Sequence, residues 1–197
     1  MTEDGSTYSG AIAITDGTPD DLMTYLLCSK LNGPVVTAIM KPTEGTRYGS
    51  VQGILNFIGP KMTAFLMILD RENESDDEIR KTIESFLLEH GCTHELIHSN
   101  DYLEYNCTKG PHTFSFFVVI SGLDQVNTRT HCIEDHLCFA GDLNGNGDSK
   151  TTWRNLSDQE RDNIISSLTG ASIRRLTEIF PQHISGIESY KNCILGD

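Results

Sequence analysis

The apolar positions of this chain fall into short blocks whose period changes along its length. Residues 65–69, "FLMIL", are five consecutive apolar positions, too few to span a membrane and too apolar for a surface loop. Such a run predicts a strand buried on both faces. "GAIAIT" (10–15), "PVVTAIM" (34–40) and "TFSFFVVI" (113–120) also read as strands, the last being rich in aromatic and β-branched residues. "HELIHS" (94–99) and "YLEYN" (102–106) are shorter candidates that flank Asn100 and Asp101, as in a hairpin or a sheet edge.

Helical signals fill the intervals. "TPDDLMTYLLCSKL" (18–31) opens with Thr18 as N-cap, Pro19 at the first helical position and Asp20 and Asp21 in the first turn. A Gly-studded loop, "KPTEGTRYGSVQG", leads into a helix around "VQGILNFI". Ser75 and Glu78 form a capping box that opens "SDDEIRKTIESFLLEHG", with Ile79, Ile83, Phe86 and Leu87 on one face and Gly91 as the stop. A short helix is expected near "CIEDHLCFA" (132–140), followed by a polar loop over 141–151. Ser157 and Glu160 then make a second capping box, and 171–180 is helical as well. This alternation predicts an α/β fold, Rossmann-like, with a mostly parallel sheet and helices on both faces. Residues 1–140 would form the domain, and 141–197 a loop and helical C-terminal extension packed on it.

Composition narrows the class. At 197 residues, 38% of them hydrophobic and 22% charged, the chain suits one globular domain with an ordinary core. No stretch approaches the ~20 apolar residues of a membrane span. The start, "MTEDGSTYSG", is polar and acidic where a secretory signal would be basic and then apolar, so the expected compartment is the cytoplasm. The six cysteines are scattered without a CxxC pair, which suggests neither a disulfide framework nor a zinc ribbon. A formal charge of −13 argues against a broad basic surface for nucleic acid. It leaves room for contact through bound metal ions, whose own charge would offset clustered carboxylates.

The charged end of the "FLMIL" run is the sharpest chemical feature. In parallel α/β sheets ligands gather beyond the carboxyl ends of the strands. There the sequence places Asp16 and Gly17 after the first strand, and Asp70 and Glu72, spaced i, i+2, after a central one. Such acids also serve as a solvated turn, or favour the N-terminus of a following helix. A carboxylate pair at that spacing is equally a compact site for Mg²⁺, which prefers oxygen ligands and keeps several waters.

Taken together, "ITDGTPDD" and "LMILDRENE" in a βαβαβα order resemble a TOPRIM domain, over roughly residues 8 to 140. In that family a Glu-Gly pair ends the first strand and an Asp-x-Asp motif ends a later one. The acids bind Mg²⁺ for phosphodiester chemistry in topoisomerases, primases and OLD-type nucleases. The resemblance places Asp16 at the family Glu, Gly17 at its glycine, and Asp70 and Glu72 at the two acids of Asp-x-Asp. Two positions differ from the pattern: Asp stands for Glu at 16 and Glu for Asp at 72. The carboxylate count is kept while reach changes by one methylene at each. "THCIEDHLCFAGD" resembles a microbial TOPRIM-like subgroup of unknown function that carries a Glu-Asp pair after a later strand.

The resemblance implies Mg²⁺, or Mn²⁺, held by Asp16, Asp70 and Glu72, which would also be catalytic, with Glu134 and Asp135 as ligands of a second ion. The substrate class is nucleic acid or nucleotide, contacted through bound metal. The alternative is a binding or regulatory protein that keeps the fold without catalysis. Oligomeric state is left open, a homodimer included. Lys41 and Arg47, in the loop with the glycines at 45, 49 and 53, are phosphate-contact candidates together with Gly17, although no Gly-Lys-Ser/Thr of a P-loop follows. On a helix Cys132 and His136 would share one face at i, i+4 and could share an ion, against the plainer reading of Cys132 and Cys138 as packing residues. "DLNGNGDSKTTW" (142–153) matches the early positions of a calcium loop but has Trp153 where the bidentate Glu belongs.

Overall fold

The computed structural model describes residues 10–14, 19–31, 37–40, 47–48, 55, 58, 62–143 and 147–196. Six strands among them, β1 (Gly10–Ile14), β2 (Thr37–Met40), β3 (Ala64–Asp70), β4 (Thr93–His98), β5 (Leu103–Lys109) and β6 (His112–Ser121), form a sheet of order β2-β1-β3-β6-β5-β4. The helices are α1 (Asp20–Lys30), α2 (Asp76–Glu89), α3 (Ile133–Ala140), α4 (Ser149–Asn155), α5 (Asp158–Gly170), α6 (Ile173–Ile179) and α7 (Pro181–Leu195).

The fold is α/β, as expected, but the sheet is mixed and not mostly parallel. β2, β1, β3 and β6 pair in parallel, whereas β5 runs antiparallel to both β6 and β4. The correction follows from loop length. Gly110 and Pro111 alone join β5 to β6, and 99–102 join β4 to β5, connections far too short for the crossover that a parallel pair requires. The antiparallel half is thus a meander added to the parallel half beside β6.

Burial on β3 matches the sequence pattern: all seven of its residues are buried. Its side chains alternate between two cores. Leu66 and Ile68 join Ile12, Phe117 and Val119 under Met23 and Leu27 of α1 and Ile184, Ile187 and Tyr190 of α7. Phe65, Met67 and Leu69 join Phe116 and Val118 over Ile79, Ile83 and Leu87 of α2. Helices therefore cover both faces, and the C-terminal helices are part of the first core. Close approach explains one glycine there. A Cβ on Gly186 would lie 2.3 Å from Val119 Cγ2, so α7 can rest on β6 at this point because the residue has no side chain.

Element boundaries differ in small ways from the sequence pattern. α1 begins at Asp20, which puts Pro19 in the N-cap position. α2 and α5 open with the two expected capping boxes, Ser75 with Glu78 and Ser157 with Glu160. α4 starts inside the expected 141–151 loop, and the C-terminal stretch breaks into α5, α6 and α7 at Ala171–Ser172 and Phe180. Of the helix expected around 51–58, Leu55 is described as helical and buried, and most of the remainder lies outside the described residues. Among the described residues no helix is long and apolar enough to cross a membrane.

Candidate metal centre

Asp70 is the last residue of β3, in register with Ser121 at the end of β6. It is buried, 3% exposed, and its Oδ1 accepts the backbone N–H of Ile133, the first residue of α3, at 2.9 Å. An acid from one strand thus caps a helix that begins 63 residues later. The free N–H groups and the positive end of the helix dipole both favour an anion at that point. Its Oδ2 lies 3.3 Å from Lys150 Nζ, and Lys150, carried by α4, also donates to Glu72 Oε1 at 2.7 Å. Burial alone would lower the Lys150 pKa, but the hydrogen bond to Glu72 and the charges of Asp70 and Glu72 outweigh it and hold the ammonium above the ordinary lysine range.

Glu72 sits in the left-handed region at φ 58°, uncommon for a residue with a side chain. Two backbone hydrogen bonds with His131, of 2.7 and 2.8 Å, hold it there. Arg47 braces the same turn: its guanidinium donates to the carbonyls of Asp70 and Arg71 and pairs with Glu74. It thus ties the end of β3 to the turn that follows, and it also lies over the Tyr48 ring at 5.7 Å.

The start of α3 supplies the remaining groups. Ligand atoms of Asp70, Cys132 and Glu134 all lie within 4.8 Å of one another, and all three residues are buried. Glu134 is 6% exposed, and its Oε2 has no hydrogen-bond partner among the described residues. Leaving a buried charged acceptor unmatched costs about 1–3 kcal/mol or more. Burial, then the neighbouring Glu134 and Asp70 carboxylates, push the Cys132 thiol far above its usual range. Asp135 is engaged differently. Its Oδ2 accepts from His131 Nδ1 at 2.8 Å, Leu123 N at 3.2 Å and Cys132 N at 3.4 Å, so it ties the loop after β6 to the start of α3.

Two buried histidines underlie the site. His136 donates from Nδ1 to the Ile179 carbonyl at 2.6 Å and accepts the Gly122 N–H on Nε2 at 3.1 Å. Both ring nitrogens are thus used, which removes His136 as a partner of Cys132 for an ion. Gly122 has φ +136°, and a Cβ there would meet His131 Cβ at 2.6 Å, so the turn that delivers this N–H requires glycine. Burial lowers the His136 pKa to about 4; His183, 3.1 Å from Ser121 Oγ, is also lowered well below 6.5, by burial and then by His136.

Of the residues expected at the site, Asp70, Glu72, Glu134, Asp135 and Arg47 gather at the carboxyl end of β3. Asp16, Gly17 and Lys41 lie outside the described residues. So do 144–146 of the calcium-like loop, whose Asp148 accepts from Thr151 Oγ1 at 2.9 Å at the start of α4. Sequence reasoning missed Lys150. Its contacts lie 78 and 80 positions away, beyond any local period, and a lysine after a polar loop carries no mark of burial. It also missed that Cys132 faces Asp70, a contact set by the tertiary fold and not by helical spacing. A groove of about 270 Å³ is lined by residues that include Arg71, Asp76, Asp101, Tyr102, Gly122 and Asp124; Asp70, Cys132 and Glu134 are not among its lining. Compared with known proteins, the chain matches no family model, no curated protein and no solved structure.

Proposed function

We propose that this chain is a Rossmann-like α/β protein of TOPRIM type that holds a divalent cation, Mg²⁺ or Mn²⁺, at Asp70 and acts on phosphodiester bonds of nucleic acid or nucleotide. One observation carries the reading: two buried carboxylates distant in sequence, Asp70 and Glu134, converge at the carboxyl end of a parallel strand, and a Glu134 oxygen there has no partner among the described residues. The donor set fits a cation, since a bound ion would satisfy that oxygen and offset the buried charge. Topology supports it as well. In the order β2-β1-β3-β6 the strand sequence reverses between β1 and β3, the place where ligands gather in open α/β sheets, and Asp70 ends β3 there.

A bound cation would supply Lewis-acid polarisation and a more acidic water. The chain's own residues would position the reactants. Asp70, fixed by the Ile133 N–H, presents its second oxygen toward Lys150. Lys150 is a compact positive charge suited to a phosphate oxygen, held in place by Glu72. Asp16, by its position in sequence after β1, would act as a further ligand or general base. The groove beside Arg71 would receive the flanking part of the substrate.

A second reading has its own support. Glu72, the second acid of the motif, is committed to Lys150, which favours a catalytically inactive binding or regulatory protein. The test is cleavage of labelled single- and double-stranded DNA and of bis(p-nitrophenyl) phosphate with Mg²⁺ or Mn²⁺. The enzyme reading expects metal-dependent cleavage that Asp70→Asn abolishes while circular dichroism is unchanged. No cleavage with either ion, in a protein whose melting still responds to the cation, would establish the second reading; equal cleavage by Asp70→Asn would overturn the first.

A further inference from the structure

Cys132 is the group at this site that neither reading uses. It is buried at 0% exposure, one residue before α3, with its sulfur within 4.8 Å of ligand atoms of both Asp70 and Glu134. The same triad contains Glu134, 6% exposed, whose carboxylate has the Cys132 thiol as a hydrogen-bonding neighbour and whose Oε2 is left without another partner among the described residues. Two ligands on one ion stand apart by at most about twice a ligand distance of ~2.0–2.3 Å. The triad is therefore within a small side-chain rotation of closing on a single ion.

Other cysteines have plainer surroundings. Cys138, on the same helix, points its sulfur to the Ser149 carbonyl at 3.8 Å, and Cys92 and Cys107 are buried in the apolar core between α2 and the sheet. Among the described residues, Asp70, Cys132 and Glu134 form the group of potential ligands that meets in one place.

We propose that Asp70, Cys132 and Glu134 form a mixed sulfur and oxygen site for a zinc-class transition metal, Zn²⁺ or Co²⁺, in preference to Mg²⁺. This rests on the reading that the Asp70 site holds a cation and changes which ion it selects. Thiolate favours borderline and soft metals, whereas an all-oxygen set suits Mg²⁺, Ca²⁺ and Mn²⁺. Coordination would exchange the thiol proton for the metal, the proton leaving to solvent, so the site gains a metal–sulfur bond and no oxidant or reductant is needed. Three protein ligands leave a position for water or substrate, the pattern of a catalytic rather than a structural zinc site.

Co²⁺ is the probe, titrated into the full chain under reducing conditions, with near-ultraviolet and visible absorption and equilibrium dialysis as readouts. The wild type is expected to bind one equivalent with a thiolate-to-cobalt charge-transfer band, and Cys132→Ser to lose that band. Glu134→Gln, which keeps the sulfur, should retain the band at saturation but need about 10- to 100-fold more Co²⁺. Cobalt bound by the wild type without the band, a band unchanged in Cys132→Ser, or Glu134→Gln binding as tightly as wild type would each overturn the mixed site while leaving cation binding at Asp70 intact. No Co²⁺ bound at all, together with no melting response to Mg²⁺ or Mn²⁺, would overturn both. The wild-type spectrum decides the matter even if Cys132→Ser fails to fold.

Discussion

Among the helices that begin with acids in the first turn, α2 and α3 handle them in different ways. α2 opens at Ser75, whose side chain accepts from Glu78 N while the Glu78 carboxylate accepts from Ser75 N at 2.8 Å. Asp76 and Asp77 stand in solvent beside it. Everything that end needs comes from four consecutive residues. α3 opens at Cys132, and its first N–H is met by Asp70 from β3, while Asp135 reaches back to Cys132 N and outward to Leu123 and His131. Glu134 is buried with an oxygen unmatched among the described residues. The first arrangement is a self-contained cap; the second adds a distant acid, Asp70, to a local box in which Asp135 accepts from Cys132 N, and so gathers more carboxylate than capping requires. Such excess, buried, is costly to keep unless it binds something.

Removing the distant cap is expected to have the largest effect. Asp70→Ala leaves the Ile133 N–H without its acceptor and takes from the partly buried Lys150 one of the two acids, Asp70 and Glu72, beside it. The expected loss is about 3–5 kcal/mol in urea unfolding with chelator present. A midpoint equal to wild type would show that Asp70 is not part of the network beneath α3.

Acid probes the next layer. His136 has a folded pKa of about 4 against an ordinary 6.5, so between those values the unfolded chain binds more protons than the folded one. Stability conferred by the neutral ring is therefore full above about pH 6.5 and falls as pH drops toward about 4, by on the order of 3 kcal/mol. His183 adds to the loss in the same direction. Urea midpoints measured across this interval should fall steadily; a flat profile would mean that the two rings are not held neutral under α3. The α2 cap is not expected to contribute in that upper range, because Glu78, with its pKa lowered by Ser75, loses its contribution at the acid end.

The smallest effect belongs to the local cap. Ser75→Ala should cost about 1 kcal/mol and leave the response to divalent cations as in wild type. A change in cation response on Ser75→Ala would mean that the two helix starts are coupled.

The same contrast explains what could be read from the sequence. The α2 and α5 capping boxes, the fully buried β3 run and the 3.6-residue stripe of Ile79, Ile83 and Leu87 depend on neighbours within a few residues, and the structure contains them as expected. Asp70 and Glu72 stood out because they abruptly end an apolar run. That Glu72 would turn to Lys150, and Cys132 to Asp70, depends on how α3 and α4 fold back over the strand ends, and no local period encodes that. The antiparallel half was partly legible, since Asn100 and Asp101 marked a hairpin between β4 and β5. The tight Gly110-Pro111 turn, which reverses β5 into β6, was the signal that a parallel reading of the whole sheet passed over.

On the proposed reading the acids at the start of α3 hold a divalent cation, whereas those at the start of α2 are a cap. The most direct measurement is the melting temperature with chelator and then with Mn²⁺, Co²⁺ or Mg²⁺ at about 100 times the dissociation constant, for wild type and Asp70→Asn. Binding at that excess is worth about 2.7 kcal/mol, or roughly 5–10 °C for a chain of this size. Such a rise is expected in the wild type with at least one of the ions, and none in Asp70→Asn. Unchanged melting in both proteins, or the same rise in Asp70→Asn, would contradict it.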